Sequence, residues 1–202
     1  MPPRILNPGD YRRAQWKNGL GHTDQIGIFP EGAALRRGDF LWRVSSARID
    51  RSSDFSLFEH HDRFLVLLGG AGLRLTHRLE GDAVDETELP PFEVYEFPGD
   101  VPSRAELLDG PVTDLSVFVR RGEVQGAVEV LELSPDEEFE CTLQGEWNFL
   151  FAARGSFTVG GDRVAEGGTY LLERPEAPRS LLLRGERADA RAVLIQLGRP
   201  GV

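Results

Sequence analysis

Hydrophobic and polar residues alternate along most of this chain with a period of two. Across 40–49, Trp42, Val44 and Ser46 fall on one face of an extended segment and Arg43, Ser45 and Ala47 on the other. Across 73–79 the alternation is cleaner, with Leu73, Leu75, His77 and Leu79 opposite Arg74, Thr76 and Arg78. The same pattern predicts strands at 25–29, 63–68, 92–97, 104–108 and 115–119, then at 127–133, 139–143, 147–153, 170–173, 180–183 and 192–197. Between 156 and 164, Gly160-Gly161 supplies residues that tolerate positive φ, so a hairpin is expected there. Residues 1–15 read as an irregular lead-in with at most one helical turn near 11–15, and the acidic stretch 80–91 reads as a surface loop. No long amphipathic helix is predicted anywhere.

The strand pattern runs through twice. Gly72-Leu73-Arg74-Leu75, Leu107-Leu108-Asp109-Gly110 and 115–119 are echoed in order by Gly155-Ser156-Phe157-Thr158, Leu182-Leu183-Arg184-Gly185 and 193–197. Short repeated strands with tight glycine turns predict an all-β chain of two stacked β-sandwiches or small barrels, one half over 1–122 and the other over 123–202. Such a protein hides its strand edges by packing half on half or by forming a homodimer.

Composition narrows the partners. Acidic residues outnumber basic ones 33 to 23, a formal charge of −10, which repels phosphate backbones and anionic lipid, so neither nucleic acid nor a membrane surface is expected. The one cysteine, Cys141, lies among the apolar positions Phe139 and Leu143 and reads as a buried, inert thiol. The N-terminus opens no apolar run of signal-peptide length, and the expected location is cytoplasmic. Of the basic residues only Lys17 is a lysine, and it sits between Trp16 and Asn18-Gly19-Leu20-Gly21-His22-Thr23, a glycine-flanked loop. Lysine brings a compact, reaching point charge where arginine brings a rigid fork.

The histidines do not make a metal set by spacing. His60 and His61 are adjacent and point to opposite faces if extended; His77 lies on an apolar strand face, and none follows it. His77 is expected to be a core residue with one ring nitrogen satisfied, and His60 and His61 to be surface residues. There is no Gly-x-Ser-x-Gly elbow, no base near Cys141 or Ser45, and Gly19-Leu20-Gly21 is too short for a phosphate loop. No cofactor, no metal and no catalytic residue is assigned.

Several separated blocks carry a family likeness: Trp16-Lys17-Asn18-Gly19, Gly21 and Thr23; Trp42-Arg43-Val44-Ser45; Phe55-Ser56-Leu57-Phe58 with Asp62-Arg63; Gly70-Ala71-Gly72; Gly99-Asp100; and Asp109-Gly110-Pro111 with Asp114-Leu115. In these the chain resembles the HutD/Ves family, bicupins associated with bacterial histidine utilisation. The resemblance implies a double cupin fold and a small-molecule pocket. The chain departs from the family pattern at Leu20, where a third glycine is usual, at Gln25, where an acidic residue is usual, and at Ser116 and Phe118, in place of Asn and Met.

What remains is a binding constellation: Lys17, Arg43 and Arg63 as cations, Asn18 and Ser45 as neutral partners, and Asp100 and Asp114 as acceptors. Arginine can grip a carboxylate through two parallel hydrogen bonds, so the set suits a small anionic metabolite. The competing reading is that Arg63 pairs with Asp114, or Arg43 with Asp100, inside the sandwich. The expected function is non-enzymatic binding of a small carboxylate, with urocanate or formylglutamate as the family-implied candidates. The alternative is a hydrolase or isomerase acting on the same acids, with Lys17 as base or electrophile.

Overall fold

The computed structural model describes residues 2–15, 22–33, 35 and 38–201, so Lys17, Asn18 and Leu20 lie outside the described residues. The lead-in is more regular than its composition suggests. A short strand β1 (Arg4–Leu6) is followed by a single 3-10 turn, Pro8–Asp10, with Asp10 capping the Asn7 amide at 2.7 Å, and then by β2 (Arg12–Gln15). The helical turn expected near 11–15 is replaced by strand because β2 gains a full antiparallel ladder with β3 (His22–Phe29), pairing Arg12 with Gln25 and Gln15 with His22.

The chain then continues through β4 (Trp42–Ile49), β5 (Ser53–Asp54), β6 (His61–Gly69), β7 (Leu73–Arg78), β8 (Val84–Leu89), β9 (Val94–Pro98), β10 (Ser103–Leu107) and β11 (Val112–Arg120). These form a six-stranded sheet in the order β2-β3-β4-β11-β6-β9 and a four-stranded sheet in the order β5-β10-β7-β8. The second half runs through β12 (Gln125–Leu133), β13 (Phe139–Leu143), β14 (Trp147–Arg154), β15 (Phe157–Val159), β16 (Asp162–Val164), β17 (Thr169–Glu173), β18 (Arg179–Gly185) and β19 (Ala190–Gly198). Its sheets are ordered β1-β17-β14-β19-β12 and β13-β18-β15-β16.

The echo seen in sequence is a topological repeat. Replacing each of β4 to β11 by the strand eight places later turns β4-β11-β6-β9 into β12-β19-β14-β17, and β5-β10-β7-β8 into β13-β18-β15-β16. What differs is the extension: the β2–β3 hairpin prolongs the first large sheet beyond β4, whereas β12 ends the second. One compact unit comprises residues 12–123; the other joins the residues up to 11 to those from 124 onward. The first eleven residues group with the second half rather than with the first, because β1 pairs with β17 (Arg4 opposite Leu171, Leu6 opposite Thr169). Tyr11 reinforces this by donating to the Gly167 carbonyl at 2.8 Å.

Each sandwich has its own core. In the first, Leu65, Leu67, Leu73, Leu75, Leu89, Phe97, Ala105 and Val112 form one cluster; in the second, Leu131, Leu143, Leu150, Phe157, Val159, Leu183 and Leu194 are among those that do so. β14 is buried on both faces, with every residue from Trp147 to Ala153 buried. That explains its near-continuous apolar run. Cys141 is buried in the second core, where its thiol is pushed up to about 11 by burial, as an inert thiol should be. The acidic stretch expected as a loop contains β8, which pairs Glu86 with Thr76 and Glu88 with Arg74 across β7. Local propensity disfavours glutamate in strands, but an edge strand facing water tolerates it when cross-strand partners are cationic or polar.

His77 is enclosed within the first sandwich at 4 % exposure, and both of its ring nitrogens are engaged. The Ser103 hydroxyl donates to the Val101 carbonyl at 2.8 Å, so it accepts from His77 Nδ1 at 2.7 Å. Tyr95 Oη then donates to Nε2 at 3.1 Å. This donor order requires a neutral imidazole with its proton on Nδ1, and burial correspondingly lowers the His77 pKa below 6.5.

The unfolded chain binds a proton at His77 more readily than the folded one, so stability falls as pH drops below about 6.5. Urea unfolding midpoints measured from pH 7.5 to 5 should decline, and His77→Gln should flatten that part of the curve. Gly70 adopts φ +100 with the Pro111 carbonyl oxygen 2.7 Å from where a Cβ would stand, whereas Gly160 at φ +58 faces open space. Gly70→Ala should therefore cost about 2 kcal/mol or more and Gly160→Ala about 1 kcal/mol, read by the same unfolding experiment.

Candidate functional site

On the inner face of the six-stranded sheet, three rows of side chains run across the strands. The first row sets Arg43 of β4 beside Phe118 of β11, then Arg63 of β6 and Phe97 of β9. The second sets Gln25, Ser45, Ser116 and Leu65 side by side, and the third sets Thr23, Ala47, Asp114 and Leu67. Toward β6 and β9 the rows merge into the hydrocarbon core; toward β2, β3 and β4 they are polar. A cavity of about 480 Å³ lies over the polar end, closed from the other side by Ser53, Phe55, Ser56 and Phe58.

The deepest element is a buried charge cluster. Arg63 donates through Nη2 to the Ser116 hydroxyl at 2.8 Å and lies 3.5 Å from Asp114 Oδ2. Ser116 passes its own proton on to Asp114 Oδ2 at 3.2 Å, and Asp114 Oδ1 accepts the Ala47 amide at 3.0 Å. The guanidinium is stacked among aromatic rings, 4.0 Å from the Phe55 centroid and 5.0 Å from that of Phe118. Its Nε has no hydrogen-bond partner among the described residues. Burial lowers the Arg63 pKa to about 10 against the opposing pull of Asp114, and burial likewise raises that of Asp114. At neutral pH both arginines of the cavity floor remain cations.

Arg43 is placed differently. It is 4 % exposed, its Nε donates to Gln25 Oε1 at 3.3 Å, and its Nη atoms have no protein partner among the described residues. Burial and the nearby Arg63 charge lower its pKa to about 10, with Asp114 acting weakly the other way. The floor therefore holds two buried guanidinium cations against one buried carboxylate, and the unmatched charge is that of Arg43.

Of the residues singled out from sequence, Arg43, Ser45, Arg63 and Asp114 line this one cavity. Asp100 does not: it lies in a turn at the opposite end of β9 from Val94 and receives Arg121 at 3.2 Å, alongside Asp62. The pairing of Arg63 with Asp114 forms, and a pairing of Arg43 with Asp100 does not. Asp114 meets protein donors at both oxygens and serves to hold Arg63 rather than to present a bare acceptor. Sequence reasoning gave no site role to Arg12, Thr23, Phe55 or Phe58, all of which line the cavity. Gln25, Ser116 and Phe118, noted only as departures from a family pattern, line it too. For Gln25 and Ser116 the available signal was register, since both stand directly beside Ser45.

The histidines lie elsewhere. His77 is the core residue described above, but with both nitrogens satisfied rather than one. His60 is exposed with φ 62, whereas His61 is 1 % exposed rather than on the surface. Its ring nitrogens sit 2.7 Å from the Glu59 carbonyl and 2.9 Å from that of Phe40, so it ties a loop to the sheet. Among the described residues no three His, Cys, Asp or Glu side chains converge in a way that could hold a metal ion.

The second sandwich carries no equivalent charge cluster among the described residues. Following the strand repeat and its registers, Arg43, Ser45, Arg63, Asp114 and Ser116 map to Ala127, Glu129, Asn148, Ala192 and Leu194. Ala192 and Leu194 belong to the second core, and Asn148 is spent on the backbone of Gly145 and Leu172.

Stability separates the two arginines. Arg63→Met leaves Asp114 buried without its cation and should cost about 3 to 5 kcal/mol, recovered in part by Arg63→Met combined with Asp114→Leu. Arg43→Met removes a buried cation that has no carboxylate partner and should leave stability unchanged or raised, as thermal and urea unfolding would show.

The comparisons agree with one another. The family model HutD matches residues 9–190. A 21.2 kDa protein from the hutC 3' region of Pseudomonas putida is 34% identical over 196 residues, covering 96% of each chain. Protein Ves of Citrobacter koseri is 33% identical over 146 residues, covering 72% of this chain and 70% of its own. Among solved structures, HutD from Pseudomonas fluorescens SBW25, obtained in a formate condition, superposes with a TM-score of 0.83 at 24% identity, covering 99% of this chain and 100% of that one, a likeness in fold. The fold is all-β and bicupin-like, with the paired sheets described above. The chain belongs to the HutD/Ves family, whose name ties it to the histidine-utilisation region.

Proposed function

We propose that this protein binds a small carboxylate metabolite in the cavity of its first sandwich and does not transform it, with acids of histidine breakdown, urocanate or formylglutamate, as the ligand class. One observation carries the reading: Arg43 is buried in a cavity wall, its Nη atoms have no protein partner among the described residues, and the adjacent Arg63 already uses the local carboxylate. A guanidinium taken out of water needs an anion to face it, and its fork matches a carboxylate bidentately. Ser45 and Gln25 flank it with polar groups, and Phe55, Phe58 and Phe118 supply apolar walls for the rest of a small acid. Family membership supports the metabolic setting.

Calorimetric titration with urocanate, formylglutamate, glutamate and formate should give binding to at least one, weakened ten-fold or more in Arg43→Met. Chromatography after prolonged incubation should recover the acid unchanged. No heat with any of the four overturns the ligand class, and a product formed by wild type but not by Lys17→Met overturns the non-enzymatic reading.

A further inference from the structure

The cavity's inner cation is not its only unpaired one. Along this acidic chain the described arginines are mostly held by carboxylates: Arg13 by Asp24 at 2.8 Å, Arg74 by Glu88 at 2.7 Å, Arg121 by Asp62 at 2.7 Å, Arg163 by Glu186 at 2.6 Å. Arg12 is an exception, with no hydrogen bond or ion pair among the described residues, and it lines the same cavity as Arg43. Arg51, Arg78 and Arg179 also lack a carboxylate among the described residues, but none of them lines the cavity. On β2, Arg12 and Arg13 point to opposite faces; Arg13 goes to Asp24, and Arg12 is left on the cavity side.

Register fixes where Arg12 stands relative to Arg43. Arg12 pairs with Gln25 across β2 and β3, Gln25 pairs with Ser45 across β3 and β4, and the Gln25 side chain accepts Arg43 Nε. The two arginines thus flank Gln25, with Arg43 buried on the floor and Arg12 exposed at the rim. At a strand spacing of about 4.8 Å, Arg12 starts about 10 Å from β4, and its long side chain can close most of that gap. A small acid with an anionic group at each end can meet both. Two aspartates also line the cavity, but Asp114 is matched by Arg63, and Asp54 is drawn to Arg104 at 3.3 Å with its side chain 78% exposed.

We infer that the preferred ligand is a small dicarboxylate, one carboxylate held on the floor by Arg43 and the other at the rim by Arg12. This rests on the carboxylate-binding reading above and narrows it, favouring acids of the formylglutamate kind over those with a single carboxylate. Gln25 sets the gap between the two cations, and its neutral amide avoids the repulsion that an acidic residue there would impose on either carboxylate.

The test compares glutarate with its monoamide, which keeps the chain length and removes one charge, and with butyrate, which lacks the second carboxylate altogether. Glutarate should bind wild type about ten-fold more tightly than either, by calorimetry at low and at physiological salt. Arg12→Gln should abolish that advantage while leaving butyrate and the monoamide unaffected; Arg12 is exposed, so the variant should fold as wild type does, which its melting temperature checks. Arg43→Gln should weaken all three. Equal affinities in wild type, a glutarate advantage that survives Arg12→Gln, or no binding of any of the three overturns the dicarboxylate inference; carboxylate binding itself falls only if urocanate, formylglutamate, glutamate and formate also give no heat.

Discussion

The first sandwich is organised around the burial of Arg63. A guanidinium at 7 % exposure must be neutralised and enclosed, and the fold supplies Asp114 at 3.5 Å, the Ser116 hydroxyl at 2.8 Å and aromatic faces from Phe55 and Phe118. Those partners come from β11 and from the segment after β5, so the cluster fastens the two sheets to one another at the point where the hydrocarbon core gives out. Because Asp114 also accepts the Ala47 amide, it fixes β4 against β11 at the position next to Ser45. Arg43 thereby stands on a strand whose position is fixed by the same carboxylate that neutralises Arg63.

Two copies of one topology have diverged by filling. In the second sandwich the positions of Asp114 and Ser116 are occupied by Ala192 and Leu194, and the large sheet ends at β12. Without the buried pair no charge needs to be enclosed there, and Ala192 and Leu194 join the apolar core. In the first, the β2–β3 hairpin adds Arg12, Ala14, Thr23 and Gln25 to the wall, extending the sheet far enough to roof a cavity. One half gives up apolar burial for a polar cavity; the other keeps apolar residues at the positions of Asp114 and Ser116.

The alternation of Arg43 and Ser45 against Trp42 and Val44 was legible because a strand sends successive side chains to opposite faces. The all-β class, the repeat and most strands followed from the same rule. Strands β1, β2, β5 and β8 escaped it. β8 is built largely from acidic residues whose local preference is against strand, and only pairing with Arg74 and Thr76 makes it one. β2 and β1 are too short to show a period, and each exists because of a ladder to a distant partner: β3 in one case and β17 in the other.

By itself the sequence determined that the chain is a twofold β-structure and that its polar inward positions, Arg43, Ser45, Arg63 and Asp114, belong to the first half, because periodicity and residue type are local properties. Tertiary structure alone decided how those charges are shared. Asp114 is spent on Arg63, Asp100 is drawn away to Arg121, and Arg12 is brought across two strand registers to the rim of the cavity. Which charge is cancelled depends on distances of a few ångströms between strands far apart in the chain, and no local pattern encodes them.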